Sequence, residues 1–195
     1  RLVGSEMCIR DREKATMSNI IILAGSERKD GNTDMLVDAF KKGAVEKNKV
    51  EVISVRSHDI TPCIGCNSCF TRPGNECFQK DDMQIVYEKL KTADVLVIAS
   101  PVYFYGISAQ LKAIIDRLHT PMRNEFPIKK LALILVGAAT LPELFASIKL
   151  QYRLVLSFFH LEDAGMVLVQ GAKDIGDVKN TDGLDRAYKL GLSIG

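Results

Sequence analysis

The chain has 195 residues, 47% hydrophobic and 26% charged, which is the composition of an ordinary folded domain and not of a disordered chain. Its 26 Lys and Arg residues against 24 Asp and Glu residues leave a formal net charge of +2, so no global field attracts nucleic acid or anionic lipid, and we expect a small-molecule substrate. The longest apolar stretch, residues 131–139, is shorter than the roughly 20 residues of a membrane span, and no apolar signal-peptide core precedes it, which predicts a cytoplasmic protein.

Residues 1–16, RLVGSEMCIRDREKAT, follow neither a helical nor a strand pattern. They resemble a translated sequencing-adapter read-through, and Met17 directly precedes a strand pattern. We interpret them as a non-native extension in which Cys8 has no role. A natural disordered N-terminal arm is the alternative. Residues 17–195 are then expected to form one domain.

Five short apolar runs have the length of β-strands and alternate with segments of helical spacing. The predicted strands are residues 19–24, 50–55, 94–99, 131–136 and 166–169. The predicted helices contain residues 36–44 and 111–118 and lie around residues 83–91 and 142–160. Since right-handed β-α-β crossovers make such a sheet parallel, the sequence predicts an α/β fold with a doubly wound, five-stranded parallel sheet of order 2-1-3-4-5.

The segment after strand one, GSERKDGNT, is the first candidate binding loop, because ligands of such sheets bind where the winding direction reverses, at the carboxyl ends of strands one and three. It offers polar side chains, a glycine for a tight bend and a helix start whose N–H groups favour an anion. It matches neither the dinucleotide nor the nucleoside-triphosphate fingerprint, so a phosphomonoester fits better. The candidate phosphate-binding residues are Ser26, Arg28, Gly31, Asn32 and Thr33. An ordinary helix cap would explain only the last two.

Residues 57–82 form a long predicted loop that contains four of the five cysteines, in the spacing C-x2-C-x2-C-x7-C. The candidate metal ligands are Cys63, Cys66, Cys69 and Cys77. Clustered cysteines in a cytosolic chain indicate metal or redox chemistry. Three interpretations stay open: a [4Fe–4S] cluster, structural zinc, and reduced thiols without a metal. The acidic pair Asp81 and Asp82 at the end of the loop is expected to cap the next helix.

The segment after strand three, SPVYFYG, is the second candidate binding loop. It places three consecutive aromatic rings at the edge where a ligand is expected, and a flat heteroaromatic ligand would use at least one ring face. We expect one or two of these rings to line a site and the rest to pack in the core. The candidate residues are Pro101, Val102, Tyr103, Phe104, Tyr105 and Gly106.

Other functions have weaker support in the sequence. Cys66 and Arg72 have the C-x5-R spacing of a phosphatase, but Pro73 and Gly74 follow, and a helix start is missing there. A response regulator would need carboxylates after strands one and three, which are absent. The chain has three histidines and no G-x-S-x-G segment, so Ser-His-Asp hydrolysis is disfavoured.

The motifs GSERKDGNT, CIGCNSCF with DDM, and SPVYFYGISAQLKAIIDR, in this order, resemble the NADPH-dependent FMN reductase family. Within it they are similar to the iron–sulfur flavoprotein-like group of NAD(P)H-dependent FMN-containing oxidoreductases. The resemblance implies a flavodoxin-like fold and an enzyme that passes electrons from NAD(P)H through FMN to a small acceptor such as a quinone or a flavin. A non-enzymatic electron carrier with the same cofactor is the alternative.

The same resemblance implies roles for the two binding loops and the cysteines. Ser26, Arg28, Asn32 and Thr33 would hold the FMN phosphate, and residues 101–106 would border the isoalloxazine ring. The four cysteines would match the compact [4Fe–4S] motif of iron–sulfur flavoproteins, although the last spacing is longer than in ferredoxins and the following proline is missing. A homodimer or homotetramer that completes the flavin site is also implied.

Overall fold

The computed structural model describes residues 17–194, so the proposed non-native extension at residues 1–16 lies outside the described residues. Five parallel strands form a sheet of order β2-β1-β3-β4-β5, which confirms the predicted topology. The strands are β1 (Asn19–Ala24), β2 (Lys49–Ser54), β3 (Val95–Pro101), β4 (Lys130–Val136) and β5 (Glu162–Val169). β1, β3 and β4 are almost wholly buried, as expected for strands covered on both faces.

Helices cover both faces of the sheet and bury one apolar core on each side. α1 (Asn32–Ala44) and α5 (Gly183–Ser193) enclose one core, which contains Phe40 and Ala187. The opposite core is enclosed by α2 (Met83–Leu90), α3 (Ala109–Arg117) and α4 (Ala146–Phe159). In the described part of the chain, no helix is long and apolar enough to span a bilayer.

Two features of this architecture differ from the sequence prediction. β5 begins at Glu162, four residues before the predicted start, and its pairing with β4 is irregular between Leu131 and Ala132. At this irregularity Asp163 Oδ1 accepts a hydrogen bond from the N–H of Gly165, whose φ is +116°. Because Glu162, Asp163 and Gly165 interrupt the apolar pattern, the sequence indicated only the second half of β5. α5 was not predicted, because two glycines weaken its helical signal.

Candidate functional site

The two predicted binding loops meet at the carboxyl edge of the sheet, as the sequence indicated. The N–H of Gly25 donates to the carbonyl of Ala99 at 2.8 Å, so the end of β1 lies against the end of β3. A Cβ atom on Gly25 would approach Leu111 Cβ to 2.8 Å and Ser108 Oγ to 2.9 Å. Only glycine permits this close approach of the first loop to the start of α3.

The first loop presents an uncapped helix start. Gly31 occupies the N-cap position of α1 without a side-chain hydrogen bond, and the first two residues of the helix, Asn32 and Thr33, are buried. The hydroxyl of Thr33 makes no hydrogen bond within residues 17–194. The nearby hydroxyl of Ser26 is buried and accepts the N–H of Arg28 at 3.2 Å. N–H and hydroxyl donors at a helix start favour an anionic ligand.

Arg56, directly after β2, holds this loop in shape and was not predicted from the sequence. Its Nη1 donates to the carbonyls of Ser26 at 2.7 Å and Arg28 at 3.0 Å. Its Nη2 forms an ion pair with the Asp34 carboxylate at 2.9 Å. A basic residue after an edge strand is the only sequence signal for this role. Because Arg56 donates to two loop carbonyls and pairs with one carboxylate, it fixes the backbone of the first loop.

A third loop, between β5 and α5, joins the site and was also missed. Arg28 Nη1 donates to the Lys173 carbonyl at 3.1 Å. The Asn32 side chain donates to the Asp174 carbonyl at 2.8 Å and accepts the N–H of Gly176 at 3.0 Å. The Asn32 amide is therefore engaged with this loop, and its proposed contact with a phosphate comes from its backbone N–H.

The second loop is a tight aromatic turn. The backbones of Tyr103 and Gly106 exchange hydrogen bonds of 2.9 and 3.0 Å, and the two residues between them have positive φ, +47° for Phe104 and +64° for Tyr105. This is the geometry of a two-residue hairpin turn, which usually takes Asn-Gly. Non-glycine residues are strained there, and such strain concentrates at functional sites.

The three aromatic rings of this turn are all at least partly exposed. The exposed fraction is 48% for Tyr103, 98% for Phe104 and 47% for Tyr105. The expectation that some of them pack in the core was therefore wrong, because the hairpin turn directs consecutive side chains away from the sheet. A hydrogen bond from the Ser147 hydroxyl to the Tyr105 carbonyl joins the turn to the start of α4. The turn offers aromatic surface at the carboxyl edge of the sheet.

Hydrogen bonds join the cysteine loop to the start of α2 and the end of α3. Cys63 and Cys66 are exposed, and Cys69 and Cys77 are partly buried. Hydrogen bonds from Ser68 lower the pKa of the Cys66 thiol, which favours its thiolate form. Within residues 17–194 no three His, Cys, Asp or Glu side chains are gathered for a metal ion. The four thiols have the right chemistry for an iron–sulfur cluster, but the structure does not bring them into a ligand arrangement.

Asp81, expected to act mainly as a helix cap, is the anchor of the cysteine loop. Its Oδ1 accepts the N–H of Met83 at 3.2 Å, while Oδ2 accepts the Thr61 hydroxyl at 2.6 Å and forms a buried ion pair with Arg117. Burial alone would raise the pKa of Asp81, but the hydrogen bonds from Arg117, Thr61 and Met83 lower it to about 2. The cap prediction thus missed the larger role of this carboxylate. The Asp82 carboxylate makes no cap bond and instead accepts the N–H of Asp59 at 2.8 Å.

The chain is similar to known flavoproteins over most of its length. The model of the NADPH-dependent FMN reductase family matches residues 18–172. An iron–sulfur flavoprotein of Methanocaldococcus jannaschii is 34% identical over 185 residues, which cover 90% of this chain and 94% of that protein. A Bacillus subtilis protein named as an NAD(P)H-dependent FMN-containing oxidoreductase is 25% identical over 179 residues, covering 88% and 95% of the two chains.

The fold also matches solved structures. An NAD(P)H:quinone oxidoreductase from Methanothermobacter marburgensis superimposes with a TM-score of 0.72 at 18% identity, covering 91% of this chain and 97% of that one. At this identity the match supports the fold alone.

Proposed function

The chain belongs to the NADPH-dependent FMN reductase family, and from this premise we propose that it is an enzyme that oxidises NAD(P)H and reduces a small acceptor, such as a quinone or a flavin, through FMN. The resemblance that the three sequence motifs indicated is confirmed. Membership of this family supports FMN as the cofactor and NAD(P)H as the co-substrate. The assignment of individual residues to the flavin and the identity of the acceptor are our proposal.

The observation that carries the proposal is the uncapped start of α1 beside the aromatic turn. The Thr33 hydroxyl and the backbone N–H groups of Asn32 and Thr33 would bind the phosphate, with Ser26, Gly31 and Arg28 completing the loop. Arg28 is exposed enough to turn from Lys173 toward a bound phosphate. Together these groups would supply the positive potential and hydrogen bonds that a phosphomonoester requires.

The other end of the flavin would lie at the end of β3. Pro101 and Val102 would face the edge of the ring system, and the rings from Tyr103 to Tyr105 with Gly106 would border it and limit access of water. When bound, FMN supplies the redox chemistry by accepting a hydride and releasing the electrons to an acceptor. The side chains therefore bind and orient the reactants, and we assign no catalytic acid or base.

Steady-state kinetics test this proposal. FMN-loaded full-length protein is mixed with NADH or NADPH, with a quinone, free FMN or no acceptor, and nicotinamide oxidation is followed by absorbance. We expect turnover that depends on the acceptor and gives parallel lines in double-reciprocal plots, because the reduced nicotinamide and the acceptor would react with the same flavin in turn. Bound FMN without turnover in any mixture would contradict the enzyme and favour an electron carrier that exchanges electrons with proteins.

A second candidate function is electron transfer through a [4Fe–4S] cluster. The Methanocaldococcus jannaschii relative is named an iron–sulfur flavoprotein, and the thiols Cys63, Cys66, Cys69 and Cys77 lie in one loop. Their donor chemistry fits the cluster, although their arrangement is not that of a closed site. Zinc and metal-free thiols remain the alternatives. Anaerobic purification with iron, sulfide and zinc assays separates the three, since the cluster requires about four iron and four sulfide per chain.

We also propose that the protein forms a homodimer or homotetramer through α4. Its residues Leu150, Leu154 and Phe158 are 53%, 62% and 57% exposed, and Leu154 and Phe158 line, together with Ile148 and Tyr152, an open apolar cavity of about 980 Å³. An exposed apolar patch of this kind typically marks an interaction surface, and a second copy of the chain would cover it. Light scattering of the Leu154→Glu variant tests this, with a shift to monomer expected. A cytoplasmic location stays a prediction.

A further inference from the structure

The open apolar cavity of about 980 Å³ lies between the sheet and the helices α3 and α4. Ile98 of β3 and Leu133 of β4 form its floor, and its walls include Ile115 of α3 and Val155 of α4. Among the described residues, none that we propose to bind the flavin lines it. Folded cores are close-packed and leave few voids larger than a water molecule, whereas small-molecule pockets reach this size, so the cavity points to an occupant.

The cavity narrows from a wide mouth to an almost closed floor. The exposed fraction is 62% for Leu154 and 57% for Phe158 at the mouth, but 2% for Leu133 and 7% for Ile98 on the floor. A second copy of the chain would cover the mouth, but a flat protein surface would not enter the narrow floor. A slender aliphatic chain would enter it and would be stabilised there by removal of its apolar surface from water.

The mouth of the cavity carries a cation whose charge is not balanced by a carboxylate within residues 17–194. The lining contains one Asp, Asp116, which is paired with Lys112, and one Arg, Arg123. The Arg123 Cζ atom lies 5.5 Å from the centroid of the Phe158 ring. Its Nη1 donates to the Thr120 carbonyl at 3.1 Å, while its Nε and Nη2 make no hydrogen bond in the described part of the chain.

The free donors of Arg123 select the kind of polar group that the occupant carries. Nε and Nη2 lie side by side on one edge of the planar guanidinium, and two parallel N–H groups match the two oxygens of a carboxylate. A neutral alcohol would satisfy only part of this edge, and an ammonium group would be repelled by it. An apolar cavity with such a mouth therefore favours an anionic amphiphile.

We propose that this cavity binds an aliphatic monocarboxylate, such as a medium-chain fatty acid. The chain would lie on the floor formed by Ile98 and Leu133, and the carboxylate would accept hydrogen bonds from Nε and Nη2 of Arg123. The site goes beyond the proposed reductase function, because it shares no residue with the two flavin-binding loops. Ligand binding there requires neither nicotinamide nor an electron acceptor.

Calorimetric titration of the full-length protein tests the site. The probes are octanoate, decanoate, decanol and decylamine, each kept below the concentration at which it forms micelles. Decanol and decylamine have the chain length of decanoate but lack its negative charge. Arg123→Gln removes the cation, and Val155→Trp fills the cavity. Arg153→Gln, which removes an exposed cation of α4 outside the cavity lining, is the matched control. Circular dichroism and FMN content show whether each variant is folded.

We expect wild type to bind decanoate more tightly than decanol and decylamine. Decanoate should bind more tightly than octanoate by about fourfold for each added methylene that is buried. Arg123→Gln should weaken decanoate by about ten- to a hundredfold and leave decanol unchanged. A merely structural role of Arg123 would weaken both ligands. Val155→Trp should weaken every ligand, and Arg153→Gln should bind like wild type.

Three results would overturn this proposal. Absence of binding for all four probes removes the ligand site and leaves a second copy of the chain as the occupant. Equal affinity of wild type and Arg123→Gln for decanoate removes the carboxylate contact. Unchanged binding to folded Val155→Trp places the ligand elsewhere. If Val155→Trp does not fold, the chain-length and head-group series on wild type and Arg123→Gln still decides. Each of these results leaves the reductase proposal intact, because that proposal is tested by turnover.

Discussion

Arg56 and Asp34 link the end of β2 to the first turn of α1 through an Nη2–Oδ2 contact of 2.9 Å. The same guanidinium donates to the Ser26 carbonyl at 2.7 Å. Two elements that are distant in sequence are thereby locked around the proposed phosphate loop. The contact shows that the shape of the loop depends on a residue outside it.

Arg56→Gln is expected to weaken FMN binding by roughly tenfold, because several loop hydrogen bonds worth about 0.5–1.5 kcal/mol each are lost or weakened. Fluorescence titration of the flavin measures the dissociation constant. Lys189→Gln, which removes an exposed i, i+4 ion pair with Asp185, is the control and should bind FMN normally. Equal affinity of wild type and Arg56→Gln would contradict the loop-fixing role.

Arg28→Ala is expected to weaken FMN more than riboflavin, since its proposed partner is the phosphate and not the ring. A charge-assisted hydrogen bond of roughly 1.5–3 kcal/mol corresponds to about ten- to a hundredfold in affinity. Lys29→Ala, one residue further along the same loop, is the matched control. The same loss for both ligands would show that Arg28 acts through the Lys173 carbonyl and the loop structure instead.

The sequence predicted the sheet and the two loops because they depend on local signals. Strand apolarity, crossover handedness and the loop motifs are all readable in short windows. Arg56 and the loop around Asp174 contribute through side-chain contacts over long sequence separations, which no local pattern reports. The exposure of Phe104 depends on a positive φ, which is uncommon at an aromatic residue and which no local pattern indicates.

Gly191→Ala is expected to destabilise the fold by at least about 1–3 kcal/mol through overpacking. A Cβ atom at this position would lie 2.1 Å from the Phe40 carbonyl oxygen, so α1 and α5 could not keep their close approach. Urea unfolding followed by circular dichroism gives the free energy of unfolding. Ser193→Ala in the same helix should change it little. An unchanged midpoint in Gly191→Ala would contradict the observed packing of the two helices.

The ion pair of Asp81 with Arg117 is expected to stabilise the fold, and this stabilisation should be lost at acid pH. The pKa of Asp81 is lowered from the ordinary value of 3.8 to about 2 in the folded protein by its hydrogen bonds with Arg117, Thr61 and Met83. A lowered carboxylate pKa contributes stability above the unfolded value, and this contribution disappears as the pH falls from about 3.8 to about 2. The expected loss is about 2 kcal/mol at 1.36 kcal/mol per pKa unit.

The free energy of unfolding of wild type and of Asp81→Asn is measured from about pH 5 to about pH 2, the range that contains both pKa values of Asp81. The variant should be less stable by roughly 3–5 kcal/mol near neutral pH, because Arg117 is left as an unpaired buried charge. Its stability should also vary less with pH in the acid range. Asp116→Asn, which breaks only the exposed pair with Lys112, is the control. Parallel pH profiles of wild type and Asp81→Asn would refute this assignment.

Replacing Phe104 and Tyr105 by Asn and Gly should stabilise the protein and weaken its flavin site at the same time. Both residues have positive φ, and relief of this strain is worth about 1–2 kcal/mol per residue. The double variant, however, removes the aromatic surface that we propose beside the flavin ring. Thermal unfolding should show a higher midpoint. The dissociation constant of FMN should rise, and the rate of NAD(P)H oxidation should fall. Phe78→Asn, an exposed aromatic outside the turn, is the control. Higher stability with unchanged flavin affinity would mean that the strained turn has no part in binding the ring.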